Sequence, residues 1–244
     1  MKQREAVVAV MENNGGYATL GFLNQNVLKI KGCEWKTKTP FASIRRIVQD
    51  KRFFFKIRPG LWALKSFRNK LPAEILPERN QPKAKQEEYN HTYYQGLLVE
   101  IGNLKRFQTF VPSQDRNKIY LGKKLGDLAT VGDFYRFSYD TITQRARTID
   151  VSWFNMRKMP EKVFEVEHST DIQNSLLKFI ELQDFYLNFC IIADEARKRE
   201  FEAKLSLNAF APIKRRTNFL SYFQLSDWHT KTYAITSLEN SLAL

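Results

Sequence analysis

Three carboxylates stand out by their spacing. Asp150 lies near the head of an apolar run, Ile149 to Phe154, and Glu165 and Glu167 flank Val166 inside a second run, Val163 to His168. Both runs alternate in the period-two manner of a strand, and the link between them carries Pro160. Successive side chains of a strand point to opposite faces, so Glu165 and Glu167 share one face while Phe164, Val166 and His168 take the other; Asp150 and Ser152 share a face of the first strand. Two carboxylates on one side of a packed strand are costly unless positive charge lies against them. A divalent cation meets that need, because Mg²⁺ takes one or two carboxylates, several waters and phosphate oxygens without a dedicated protein cage. Asp150 and Glu165 are the candidate ligands. The alternative is a solvated edge strand, since charged side chains are mostly exposed.

The elements around these residues favour an interior strand. Ser169, Thr170 and Asp171 are helix N-cap types, and Ile172, Leu176, Phe179 and Ile180 then fall on one helical face. Strand, cap and helix in that order indicate α/β layering, with the carboxylates near the end of a sheet. Phe185 to Ala193 reads as a fully buried strand, and Asp194 caps a charged helix running to about Leu205. Upstream, Asn90 to Arg106 reads as a helix with Tyr94, Leu97, Leu98, Ile101 and Leu104 inward and Glu100 at the stripe's margin, followed by a strand from Phe107 to Pro112. The segment from Ser113 to Phe134, rich in Gly, Lys and Asp, gives no clear period. Asp115 and Asp127 within it are turn formers or ligands. His168 alternates away from the carboxylate face and reads as a structural hydrogen-bonding group, as do Trp228 and His229. Lys214-Arg215-Arg216 is a solvated turn or a contact with nucleic acid.

Asp150, then Glu165-Val166-Glu167 with an apolar residue before each and a helix behind, resembles the PD-(D/E)xK nuclease superfamily. The resemblance covers about Tyr94 to Leu225. It implies an α/β fold, a central mixed sheet flanked by helices of restriction-endonuclease type, over residues 91–244. It implies an endonuclease that hydrolyses DNA phosphodiesters with Mg²⁺, or Mn²⁺ as a substitute, held by Asp150, Glu165 and an acidic residue of the first helix, for which Glu100 is the matching position. The sequence departs from the pattern twice: Ile149 stands in place of the usual Pro, and Glu167 in place of the catalytic Lys. Glu167 then serves as a further ligand or orients the attacking water, and Lys178 on the following helix replaces the missing cation. Cutting both strands of a duplex implies a homodimer. The alternative is a regulator or sensor that keeps the fold, binds DNA and does not cut; an RNA-processing factor is a third reading.

Charge points the same way. Of the formal net charge of +13, residues 1–72 hold 15 Lys and Arg against 4 Asp and Glu. Such concentration is the footprint of a polyanion binder, because neutralising phosphates releases counterions. Residues 1–68 read as three helices and a β-hairpin, the order of a winged helix-turn-helix, whose third helix enters the major groove. The Thr39-Pro40 start, Arg52-Phe-Phe-Phe-Lys56 and Pro59-Gly-Leu-Trp-Ala-Leu64 are similar to the HARE-HTH type of winged helix, which implies recognition of double-stranded DNA, modified or not. Lys36, Lys38, Arg45, Arg46, Lys56 and Arg58 are the candidate phosphate or base contacts. Pro72, Pro77 and Pro82 mark residues 69–90 as a linker. Two cysteines make no disulfide framework or zinc site, and neither a basic-then-apolar leader nor a run of about 18 apolar residues is present. A cytoplasmic protein without a membrane partner is the expectation.

Overall fold

A computed structural model describes residues 1–78 and 80–241. Its contacts divide into two units, Met1–Gln81 together with Ser226–Leu244, and Pro82–Leu225.

The first unit opens with α1 (Gln3–Asn13), β1 (Tyr17–Thr19), α2 (Leu20–Asn26) and α3 (Pro40–Val48), then β2 (Phe54–Arg58) and β3 (Leu61–Leu64). Thr19 caps α2 by accepting from Phe22 N–H at 3.2 Å, and Pro40 occupies the first turn of α3, where a missing N–H costs nothing. Gly60, at φ +77°, turns β2 into β3, and the three strands form an antiparallel sheet in the order β1-β3-β2. Ala6, Val7, Met11, Leu23, Ile44 and Phe54 centre its core. The short β1 has too few residues to show a period in the sequence.

In the second unit, α4 (Lys83–Leu104) leads into β4 (Gln108–Phe110), a hairpin of β5 (Ile119–Tyr120) and β6 (Lys123–Lys124), α5 (Leu125–Leu128) and α6 (Asp140–Ala146). β7 (Val151–Phe154) and β8 (Pro160–Glu167) follow, then α7 (Ile172–Ile180), β9 (Asn188–Ala193), α8 (Lys198–Leu205) and β10 (Thr217–Ser221); α9 (Tyr222–Ser241) starts here and from Ser226 on belongs to the first unit. The central sheet is mixed, in the order β10-β9-β8-β7-β4. β8, β9 and β10 run parallel, and β7 pairs antiparallel with both β8 and β4. The parallel pairs need crossovers, which α7 and α8 supply. Ile172, Leu176 and Phe179 of α7 pack with Val163, Ile191 and Phe201. The chain is therefore a mixed α/β protein with a central mixed sheet flanked by helices. No helix among the described residues is long and apolar enough to cross a membrane.

Two boundaries differ from the sequence reading. Pro160 lies within β8, where it pairs with Phe154 beside a register shift, a place where a ladder tolerates the missing N–H. And α4 starts at Lys83, two turns before Asn90; Lys83 to Glu88 carries almost no apolar residue, so its helical period is invisible in the sequence.

Candidate functional site

The C-terminal end of β8 opens onto a cleft of about 440 Å³. Asp150, Glu165, Glu167 and Lys178 all line it. Val163 belongs to the core beneath α7, and Ser175 of α7 bonds both Glu165 and Glu167; the period of two puts all three side chains on the α7 side of β8. Asp150 stands just before β7 and accepts from Val166 N–H of the neighbouring strand at 2.8 Å.

Lys178, half-buried on α7, donates to both oxygens of Glu165, at 2.8 and 3.0 Å, and to the Thr148 carbonyl at 3.2 Å. Burial, and then repulsion from Asp150, hold the Glu165 carboxyl well above the usual range, with the Lys178 ammonium opposing them. Glu167 is clamped differently: the Ser175 hydroxyl donates to one of its oxygens and the Thr170 hydroxyl to the other.

Helix α4 supplies the opposite wall. Glu87, Glu88 and His91 line the cleft at helical spacing. His91 Nε2 lies 3.4 Å from Asp150 Oδ1. One turn further on, the wholly buried Gln95 donates to Asp115 Oδ2 at 2.8 Å and to the Asp150 carbonyl at 3.2 Å. Asp115, from the loop after β4, is only 3% exposed and also receives Lys118 Nζ at 2.6 Å. Burial resists charging of His91, but Asp150 and then Asp115 outweigh it and raise its pKa; burial likewise works against the Asp150 carboxylate, and His91 with the Val166 N–H turns its shift downward. His91, Asp115 and Asp150 each offer a ligand atom, and these atoms all lie within 4.8 Å of one another. An imidazole with two carboxylates is a donor set that divalent ions accept, so the chemistry of the cluster fits a metal.

His168 also lines the cleft, against expectation. Pairing of β8 ends at Glu167, so strand alternation no longer governs the next side chain. Its Nδ1 meets the Tyr222 hydroxyl at 2.5 Å, while its buried Nε2 has no hydrogen-bond partner among the described residues. Tyr222 also donates to the Glu167 carbonyl at 2.8 Å and stacks on Tyr94 with ring centroids 4.0 Å apart.

Two expectations need correction. Glu100 does not line the cleft; it accepts from the Tyr120 hydroxyl at 2.9 Å. Nine residues beyond His91, it sits about two and a half helical turns on and therefore on the opposite face of α4. Arg58, grouped in the sequence with exposed cations, is 7% exposed and donates through both terminal nitrogens to the Glu74 carbonyl at 3.1 Å. A register shift between Lys56 and Arg58 breaks the alternation that would have kept it outside. Lys36, Lys38, Arg45, Arg46 and Lys56 are exposed. His91 escaped the sequence reading altogether; a polar stripe at Glu87, Glu88, His91 and Gln95 was the available signal.

Residues 70–242 match the family described as the C-terminal domain of the type II restriction enzyme NmeDI. Over 123 residues the chain is 32% identical to the type II restriction enzyme NmeDI of Neisseria meningitidis serogroup C, a stretch that makes up 46% of this chain and 35% of that protein. The match thus spans about a third of the length of this curated relative. No solved structure matches the chain.

Proposed function

The chain belongs to the family of the NmeDI C-terminal domain, and on that premise we propose that it is a metal-dependent DNA endonuclease of restriction type, hydrolysing phosphodiester bonds. The observation that carries this reading is the Lys178 ammonium resting on Glu165 in the cleft that Asp150 also lines. Two acids from adjacent strands and one cation are the groups a PD-(D/E)xK site brings to a phosphate, here with the cation delivered from α7 because Glu167 fills the usual Lys position.

Asp150 and Glu165 are the metal ligands of this reading, with His91 and Asp115 as further donors and Mg²⁺ as the ion the resemblance implies. A bound divalent ion polarises a phosphate oxygen and lowers the pKa of an attacking water. Lys178 places positive charge where a phosphoryl group gains negative charge. Ser175 and Thr170 fix Glu167, which holds the cleft wall rather than substituting for an ammonium.

The N-terminal residues 1–68 act in this proposal as a winged helix that reads duplex DNA through Lys36, Lys38, Arg45, Arg46 and Lys56, joined by residues 69–82 to the nuclease-like residues that begin with α4. A homodimer would place one cleft on each strand. Plasmid and base-modified DNA incubated with Mg²⁺, Mn²⁺ or EDTA provide the test. Wild type should cut only with metal. Glu165→Gln and Lys178→Met should slow cutting by roughly 10²-fold or more while gel-shift binding persists. Binding without cutting of any substrate would leave the reader that does not cut; undiminished cutting by Lys178→Met would remove Lys178 from the chemistry.

A further inference from the structure

The donor set at the cleft contains a nitrogen, and that choice bears on which ion it takes. We propose that His91, Asp115 and Asp150 form a site for a first-row transition-metal ion, Mn²⁺ or Co²⁺, in preference to Mg²⁺. The proposal rests on the reading above that the cleft works with a divalent ion, and it deepens that reading by naming the class of ion.

The three donors come from α4, the loop after β4 and the residue preceding β7, segments far apart in the chain, yet their ligand atoms lie within 4.8 Å of one another. His91 Nε2 and Asp150 Oδ1 are separated by 3.4 Å. A direct charge-assisted hydrogen bond would bring them to about 2.7–2.9 Å. Two ligands each about 2.1 Å from one ion stand roughly 3.0 Å apart at an octahedral edge and about 3.4 Å apart at a tetrahedral one. The spacing suits a shared ion better than a direct pair.

Ligand softness decides the class. Mg²⁺ binds oxygen almost exclusively and keeps several waters, whereas imidazole suits first-row transition metals. Gln95 provides a second, independent pointer. Its amide nitrogen holds both the Asp115 carboxylate and the Asp150 carbonyl, and its wholly buried Oε1 has no hydrogen-bond partner among the described residues. An orphaned acceptor inside an acidic cluster calls for a donor, and a water polarised by an ion is one. Lys118 already offsets one carboxylate charge at Asp115, which moderates the hold of the site on a cation.

The experiment loads the full chain with Mn²⁺ without DNA and records pulsed electron paramagnetic resonance, in which a coordinated imidazole nitrogen imprints a ¹⁴N modulation. Wild type should show that modulation, and His91→Gln should lose it. In competition titrations, wild type should hold Mn²⁺ at least about tenfold tighter than Mg²⁺, and the variant should lose most of that margin. Bound Mn²⁺ in wild type with no nitrogen modulation, or equal affinity for the two ions, overturns the proposal; the wild-type spectrum does not depend on any variant folding. A protein that cuts DNA with Mg²⁺ but shows no nitrogen coupling loses the ion assignment and keeps the nuclease reading. Nitrogen coupling in a protein that cuts nothing does the reverse.

Discussion

Glu165 and Lys178 illustrate how buried acids at a strand end are answered from another element. The acid-rich end of β8 needs positive charge, and Lys178, one turn past the serine that clamps Glu167, supplies it. His168 shows the opposite economy, a base kept neutral. Burial, and then the neighbouring His91, push its pKa down to about 4. An unfolded histidine takes its proton near 6.5, so between pH 6.5 and 4 the unfolded chain binds more protons than the folded one. Stability is therefore full above about pH 6.5 and falls as the solution is acidified through that window, by on the order of 2 kcal/mol at pH 5. Urea unfolding of wild type and His168→Asn at pH 7.5 and 5 should show a smaller loss in the variant; identical losses would place the acid sensitivity in another group. Asp150, Glu165, Glu167 and Lys178 were readable in the sequence because strand and helix periods fix which side chains share a face. His91 was not, because the helical residues that line the cleft with it, Glu87 and Glu88, lie in what read as linker, and Asp115 could be named only as a turn former or ligand in a stretch without a period, where the folded loop reveals that it is buried.

Among the elements, α4 carries the tightest packing constraint. A Cβ at Gly96 would lie 2.1 Å from the Tyr120 ring, and one at Gly102 would lie 2.5 Å from the Thr109 methyl and 2.7 Å from Trp153. Helix propensity alone favours alanine over glycine by up to about 1 kcal/mol. Steric conflict with a buried ring costs about 1–3 kcal/mol and should win. Gly96→Ala is thus expected to lower the urea midpoint; a raised midpoint would mean that Tyr120 yields freely. Strands β7, β8 and β9 were visible as apolar runs, and α7 by its stripe and its Asp171 cap. The two-residue strands β5 and β6 are too short to carry a period, and the first turns of α4 looked like linker because their residues are charged on every side.

Across the whole molecule, the positive charge is unequally shared, and the proposed division of labour follows it. Arg45 and Arg46 lie exposed in the last turn of α3, with Arg45 only loosely paired to Asp227 at 3.8 Å. If they contact phosphates, reversing both charges should weaken duplex binding across sequences and reduce the slope of log affinity against log salt by about two. Fluorescence anisotropy between low and physiological salt reads both quantities, and an unchanged slope would move the DNA-reading surface elsewhere. The last helix adds a practical consequence. Tyr222, in its first turn, pins the Glu167 carbonyl and the His168 ring, whereas from Ser226 onward α9 is grouped with the first 81 residues. Excising residues 82–225 on their own would stop that helix after its opening turn and leave its anchoring tyrosine on a frayed stump. A miniaturised version has to carry its tail along.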